Sequence, residues 1–363
     1  MNFNFVPSVV HMASVKVVSN LLQNSEIGKV LNDDMRMLNP LHCSRRDRRD
    51  QWELTKMKIL EKLPFLPSFI SEEVGKIIHP MHNEVMLWLN DHNLYLSHLQ
   101  GQFYVDYSLF CWKTTGMIDR EQTAKKIVHS ENFDISHRFI IACTYFFMDE
   151  ILSLWDAMQE SGIRISGRQI NSAVNLWTKL LAEENAKSME ELIKDYFNPA
   201  QIRQPRILLR LSSYFRFLPL EYRMGYFLND GFGVQADDFY LCLYQMNESE
   251  CFEFFRAKPV FVLQRFLKWP FQSVFIKLAT DISRHMVFTD FKAILDHIFN
   301  DFILEGYNYF ELFKEFWNII PDHYQSEIRK DETKFQIWKL ILNCDSKKPT
   351  SEFFETLDQF HFQ

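Results

Sequence analysis

Apolar residues recur along this chain every three to four positions rather than every two. The clearest stretch is Phe291, Ile294, Leu295, Ile298, Phe299 and Phe302, opposed by Lys292, Asp296, Asn300 and Asp301. A period near 3.6 with polar residues on the opposite side defines an amphipathic α-helix. The same spacing runs through Val85, Trp88, Leu89, His92, Leu96 and Leu99, through Phe147, Ile151, Leu154, Trp155 and Met158, and through Ile170, Val174, Trp177, Leu180 and Leu181. Each predicts a helix.

Start and stop signals agree with these periods. Asp119 with Gln122, and Ser188 with Glu191, have the spacing of a capping box, in which each side chain satisfies an otherwise orphan amide. Pro7 is placed to open the first helix. Breaks are expected at Pro64, Pro67, Pro80, Pro199, Pro205, Pro219, Pro259, Pro270, Pro321 and Pro349, because proline lacks the amide that continues a helix. From about Asp237 the breaks recur at roughly 35 residues, room for two short helices and the repeat length of helical solenoids. The pattern predicts an all-α chain of stacked antiparallel helix pairs, a helical-repeat solenoid of ankyrin-like or related type, with an irregular multi-helix bundle as the alternative. An amino-terminal helical region is expected over residues 1–80, with exposed connections at Leu38–Arg49 and Leu63–Pro80, followed by a helical array over 81–363.

Composition narrows the class. With 363 residues, 47% hydrophobic and 24% charged, the chain has apolar surface enough for a large core. A single core stops growing at about 250–300 residues, so two domains or an elongated array is expected. There are 35 Phe and only 10 Gly, a balance that disfavours hairpin-rich sandwiches and phosphate-cradling α/β enzymes.

A net charge of −7 gives no general attraction to nucleic acid or anionic membrane. The six cysteines, Cys43, Cys111, Cys143, Cys242, Cys251 and Cys344, lie in apolar segments without a CxxC pair, as reduced core thiols of a cytoplasmic protein do. The amino terminus lacks the basic and apolar regions of a secretory signal. The longest apolar run, Phe139 to Met148, is far short of the roughly 20 residues that span a bilayer, so no membrane partner is expected.

Two segments, Ala142 to Trp155 and Leu241 to Phe255, resemble the inner helix, turn and outer helix of an ankyrin repeat. The T-P-L-H opening is missing, and Met148 or Asn247 stands in place of the turn glycine, so the β-hairpin loops of that family are not implied. Pro7 to Val18 together with Asp134 to Trp155 resembles large, uncharacterised, lineage-expanded helical families of arthropods, a resemblance that implies no known activity.

Local chemical motifs are incomplete. Gly231, Gly233 and Ala236 have the spacing of a dinucleotide fingerprint, but the flank Tyr222 to Leu228 reads as helix where that motif needs a strand. His79, His82 and Glu84 bring potential metal ligands together, without the P-C-x-x-C or H-E-x-x-H that would complete a zinc site, and a polar turn before a helix starting near Asn83 is the simpler reading. His92, on an apolar stripe, reads as a hydrogen-bonded core histidine. Asp33 with Asp34, and Asp237 with Asp238, are the paired carboxylates a terpene-synthase-like enzyme would need for magnesium, yet neither extends to D-D-x-x-D. A second such motif at Asn300 and Asp301 has Leu304 and Asn308 where Ser and Glu are required.

The run Arg45, Arg46, Asp47, Arg48, Arg49, Asp50 offers itself to an acidic partner or RNA, particularly if joined on one face by Lys125 and Lys126. Its interleaved aspartates cancel the field beyond a Debye length, which favours a solvated connection. The expected function is therefore a non-catalytic protein-interaction or scaffold module binding other proteins, without cofactor. An all-α enzyme with an aromatic pocket and an RNA-binding helical repeat are the alternatives. No catalytic, cofactor-binding or metal residue is assigned from sequence.

Overall fold

A computed structural model describes residues 5–37, 44–96, 105–165, 172–182, 236–344 and 353–357, with single positions at 191 and between 212 and 223. Regular structure among them is helical, apart from an isolated antiparallel bridge between Trp112 and Ile118. In chain order the helices are α1 (Val9–Leu22), α2 (Ser25–Met37), α3 (Arg45–Leu60), α4 (Ser68–Leu96), α5 (Arg120–Val128), α6 (Ile135–Tyr145), α7 (Met148–Glu160) and α8 (Ser172–Ala182). They continue as α9 (Ala236–Gln245), α10 (Glu248–Ala257), α11 (Pro259–Phe266), α12 (Gln272–Ile282), α13 (Phe288–His297), α14 (Phe310–Ile319), α15 (Asp322–Ile328) and α16 (Glu332–Asn343). The all-α expectation holds. None of the described helices is long and apolar enough to cross a membrane.

The chain forms two compact units, each assembled from separated stretches. The larger joins Pro7–Met37 to Thr55–Asn247, and the smaller joins Met1–Val6, Leu38–Leu54 and Glu248–Gln363. Neither unit is a single continuous stretch of the sequence.

In the larger unit α1 packs along α4, and α5, α7 and α8 gather around α6. The start of α1 is set by Ser8, whose hydroxyl accepts from the His11 amide at 3.1 Å, and Pro7 lies outside the helix. Asp119 caps α5 by accepting from the Gln122 amide at 3.1 Å, as its spacing predicts. The Ser188–Glu191 signal lies outside the described residues except at Glu191.

The break expected at Pro80 is absent. Pro80 sits inside α4, which runs unbroken through Asn83. An interior proline costs about 3 kcal/mol, but Val74, Ile78, Met81, Val85 and Trp88 are buried on this helix at roughly 1.5–3 kcal/mol each, so packing outweighs the lost hydrogen bond. The connection expected over Leu63–Pro80 shrinks accordingly to the few residues before Ser68.

Every residue of α6 from Phe139 to Tyr145 is buried. This is the apolar run singled out above, used as a central helix. It ends in a left-handed Phe146 at φ 56°, and the Phe147 amide reaches back to the Ala142 carbonyl at 3.0 Å before α7 begins. The segments that resemble ankyrin pairs are thus helix, tight turn and helix.

In the smaller unit alternate helices pack on one another: α11 on α13, α12 on α14, and α14 on α16. Pro259 is the first residue of α11 and Pro321 immediately precedes α15, both permitted places for a residue without an amide. The Phe291 stripe forms α13, then widens into a π-helical turn over Ile298–Ile303. Buried Tyr309 donates to the Leu267 carbonyl at 2.8 Å, and burial together with Tyr307 holds its hydroxyl above the ordinary range.

Candidate functional site

Polar groups converge inside the larger unit. On α4, Glu84, Trp88, Asp91 and His92 fall on one side at helical spacing. The first residue of α5 supplies Arg120, the last of α6 supplies Tyr145, and the first turn of α9 supplies Asp237. Arg120 is only 4% exposed. Its Nη1 donates to Asp91 Oδ2 at 2.6 Å, and its Nε lies 3.4 Å from Asp237 Oδ1. Burial works against the guanidinium charge, yet Asp237, Tyr145, Asp91 and Glu84 together raise its pKa above the ordinary arginine value.

Beside this ion cluster, the His92 ring stacks on Trp88, with centroids 4.0 Å apart, and on Tyr145 at 5.7 Å. His92 Nδ1 is 2.7 Å from the Trp88 carbonyl, which only accepts, so Nδ1 carries the hydrogen. In neutral His92, Nε2 then accepts from the Tyr145 hydroxyl at 3.1 Å. His92 is the hydrogen-bonded core histidine its stripe predicts. Chemically the layer supplies a fixed positive charge answered by carboxylates, and it ties four helices together.

His79, His82 and Glu84 lie within α4 rather than on a turn before a helix. The structure separates their roles. His82 meets the Tyr107 hydroxyl at 3.1 Å, while Glu84 contributes to the field at Arg120. Among the described residues no three His, Cys, Asp or Glu side chains are placed to hold a metal ion. Burial lowers the His82 pKa from 6.5 to about 4, and burial with His82 and Lys56 nearby lowers that of His79 to about 3.

An acid sensitivity follows from His82. The unfolded chain takes up its proton near pH 6.5, whereas the folded chain resists until about pH 4. The contribution is intact above pH 6.5 and is lost as pH falls from there to 4, by at most about 1.4 kcal/mol per pH unit. Urea denaturation across that window should show a shallower decline in His82→Gln than in the natural chain; parallel declines would contradict the assignment.

The other sequence candidates are dispersed. Asp238 accepts from both the amide and the hydroxyl of Ser212, and Asp237 faces Arg120. Asp33 is exposed on α2, and the Asp34 side chain lies outside the described residues, as do Gly231 and Gly233. Asn300 and Asp301 fall in the π turn, where Asp301 pairs with His297. Cys143, Cys242 and Cys251 are buried, Cys111 and Cys344 partly so, and none of these five is in a disulfide. Burial pushes the Cys143 thiol well up and, with Glu250, that of Cys251 to about 11.

The arginine run is the start of α3, not a connecting loop. Arg45 and Arg48 close on Glu305 at 2.9 and 3.0 Å. Arg49 donates to the Leu304 carbonyl at 2.7 Å, with its guanidinium 3.7 Å above the Phe354 ring. Glycine is required at position 306, where φ is +94° and a Cβ would lie 3.2 Å from the Arg49 stem. Arg46 pairs with Asp50 at 3.8 Å. On α5, Lys125 pairs with Glu121 and Lys126 donates to the Ser108 carbonyl.

Outward-facing apolar side chains form the remaining feature. On α1 these are Val9, Val10 and Met12, on α3 Leu54 and Met57, on α4 Phe69, and on α7 Met148 and Leu152, the last two 46% and 44% exposed at i and i+4. Sequence reasoning placed α7 but not this second apolar stripe, which its buried stripe of Ile151, Leu154 and Met158 overshadowed. Arg120, Asp91 and Tyr145 were also passed over. Charged residues interrupting the apolar face of α4 were the available sign.

Against this geometry, no family model, no curated protein and no solved structure matches the chain.

Proposed function

We propose that this chain is a protein-interaction or scaffold module built on a helical array, working through its outer faces in the cytoplasm. The observation that carries the reading is the second apolar stripe of α7, Met148 and Leu152, held open to solvent on a helix that packs on α6 and buries Ile151, Leu154 and Met158. The packing of alternate helices in the smaller unit supports the repeat-array form of the proposal. The buried ionic layer is in keeping with it, since its charges answer one another inside the core. The buried, disulfide-free thiols suit a reducing compartment.

The test is capture of partners by the immobilised full chain and by Met148→Asp/Leu152→Asp, after thermal melts have shown equal stability. The double variant should retain less than about a tenth of the protein held by the natural chain, as loss of interface anchors predicts. Equal capture by both, or none by either, overturns the assignment to this face.

A further inference from the structure

We infer that the outer face of α7 docks a basic amphipathic helix of a partner protein, a conclusion that rests on the interaction reading above and gives it a chemistry. Met148, Leu152 and the partly open Trp155 follow one another at i, i+4 and i+7, the pattern that receives the apolar side of a second helix. The charges that α7 itself carries have a single sign. Across its 13 residues α7 carries Asp149, Glu150, Asp156 and Glu160 and no lysine or arginine. Glu150 is met by His129 at 3.4 Å, whereas Asp149, Asp156 and Glu160 are exposed and take part in no ion pair within the described structure.

The last turn adds a second argument. A helix carboxy terminus bears a partial negative charge that cations relieve, yet the last turn of α7 has none and holds Glu160, with Asp156 one turn earlier. Lysines or arginines flanking the apolar stripe of an incoming helix would answer these carboxylates and the helix dipole together. An anionic partner, nucleic acid or lipid headgroup, is repelled by the same carboxylates.

The probe is an 18-residue amphipathic Leu/Lys peptide, titrated against the full chain by fluorescence anisotropy, with a scrambled peptide of equal composition and a Leu/Glu peptide alongside. The natural chain should prefer the amphipathic Leu/Lys peptide by at least about tenfold over the scrambled one and lose about tenfold on raising salt from 50 to 500 mM. Asp156→Lys/Glu160→Lys should reverse the preference toward Leu/Glu, and Met148→Asp/Leu152→Asp should bind neither. Unchanged affinity in the charge-reversed variant, or no preference over the scrambled peptide, overturns the proposal. If partner capture still depends on Met148 and Leu152 while the peptide fails, the basic-helix chemistry falls and the interaction surface stands.

Discussion

Replacing Arg120 with methionine is expected to lower the free energy of unfolding by about 3–5 kcal/mol, the cost of removing one partner from a buried ion cluster. Methionine keeps most of the stem's volume and removes the charge. Asp91 and Asp237 then face one another without the cation between them, with Glu84 contributing to the same field. Reversible urea denaturation measures the loss, and a deficit below about 1 kcal/mol would mean that water reaches these carboxylates in the folded chain. The pair Arg120→Met/Asp237→Leu should recover part of the deficit, because exchanging buried charges for apolar groups of similar size is often neutral. Simple addition of the two single effects would argue against direct coupling.

In the smaller unit, Phe291→Ala is expected to cost about 3–5 kcal/mol, the range for emptying a phenylalanine site in a packed core. The ring is fully buried, with the rings of Phe316 and Tyr324 centred 6.1 and 5.8 Å away on α14 and α15. Val287, just before α13 and 54% exposed, provides the contrast, since Val287→Ala should stay within about 0.5 kcal/mol. A Phe291→Ala loss as small as that of Val287→Ala would place the ring outside the cooperative core.

How much of this was legible depended on how far apart the cooperating residues lie. Helical periodicity is a local property, and it located α4, α7, α8 and α13 because the residues that make the stripe are the residues that bury it. Asp119 was legible as a cap for the same reason, the amide it accepts from being three residues away. Pro80 was misleading because proline's local cost was set against no knowledge of what α4 packs on. The arginines of α3 read as solvated because their partners, Glu305 and Leu304, lie about 255 positions later. Arg120 fared likewise, its carboxylates coming from α4 and α9. The roughly 35-residue interval after Asp237 reads as a repeat in the sequence, but helix lengths in the smaller unit run from 7 residues in α15 to 12 in α16, too uneven for spacing alone to define a repeating unit.

The divided origin of the smaller unit also fixes an order of events during synthesis. Leu38–Leu54 leaves the ribosome roughly 200 residues ahead of Glu248, an interval of about 10–40 s at about 5–20 residues per second. The larger unit has all its segments once Asn247 has emerged. The amino-terminal half of α3 must wait longer, its arginines without Glu305 until a later part of the chain is made. A nascent chain stalled just as Asn247 emerges would therefore hold every segment of one unit and, of the other, only Met1–Val6 and Leu38–Leu54, an early product for chaperones and proteases to find.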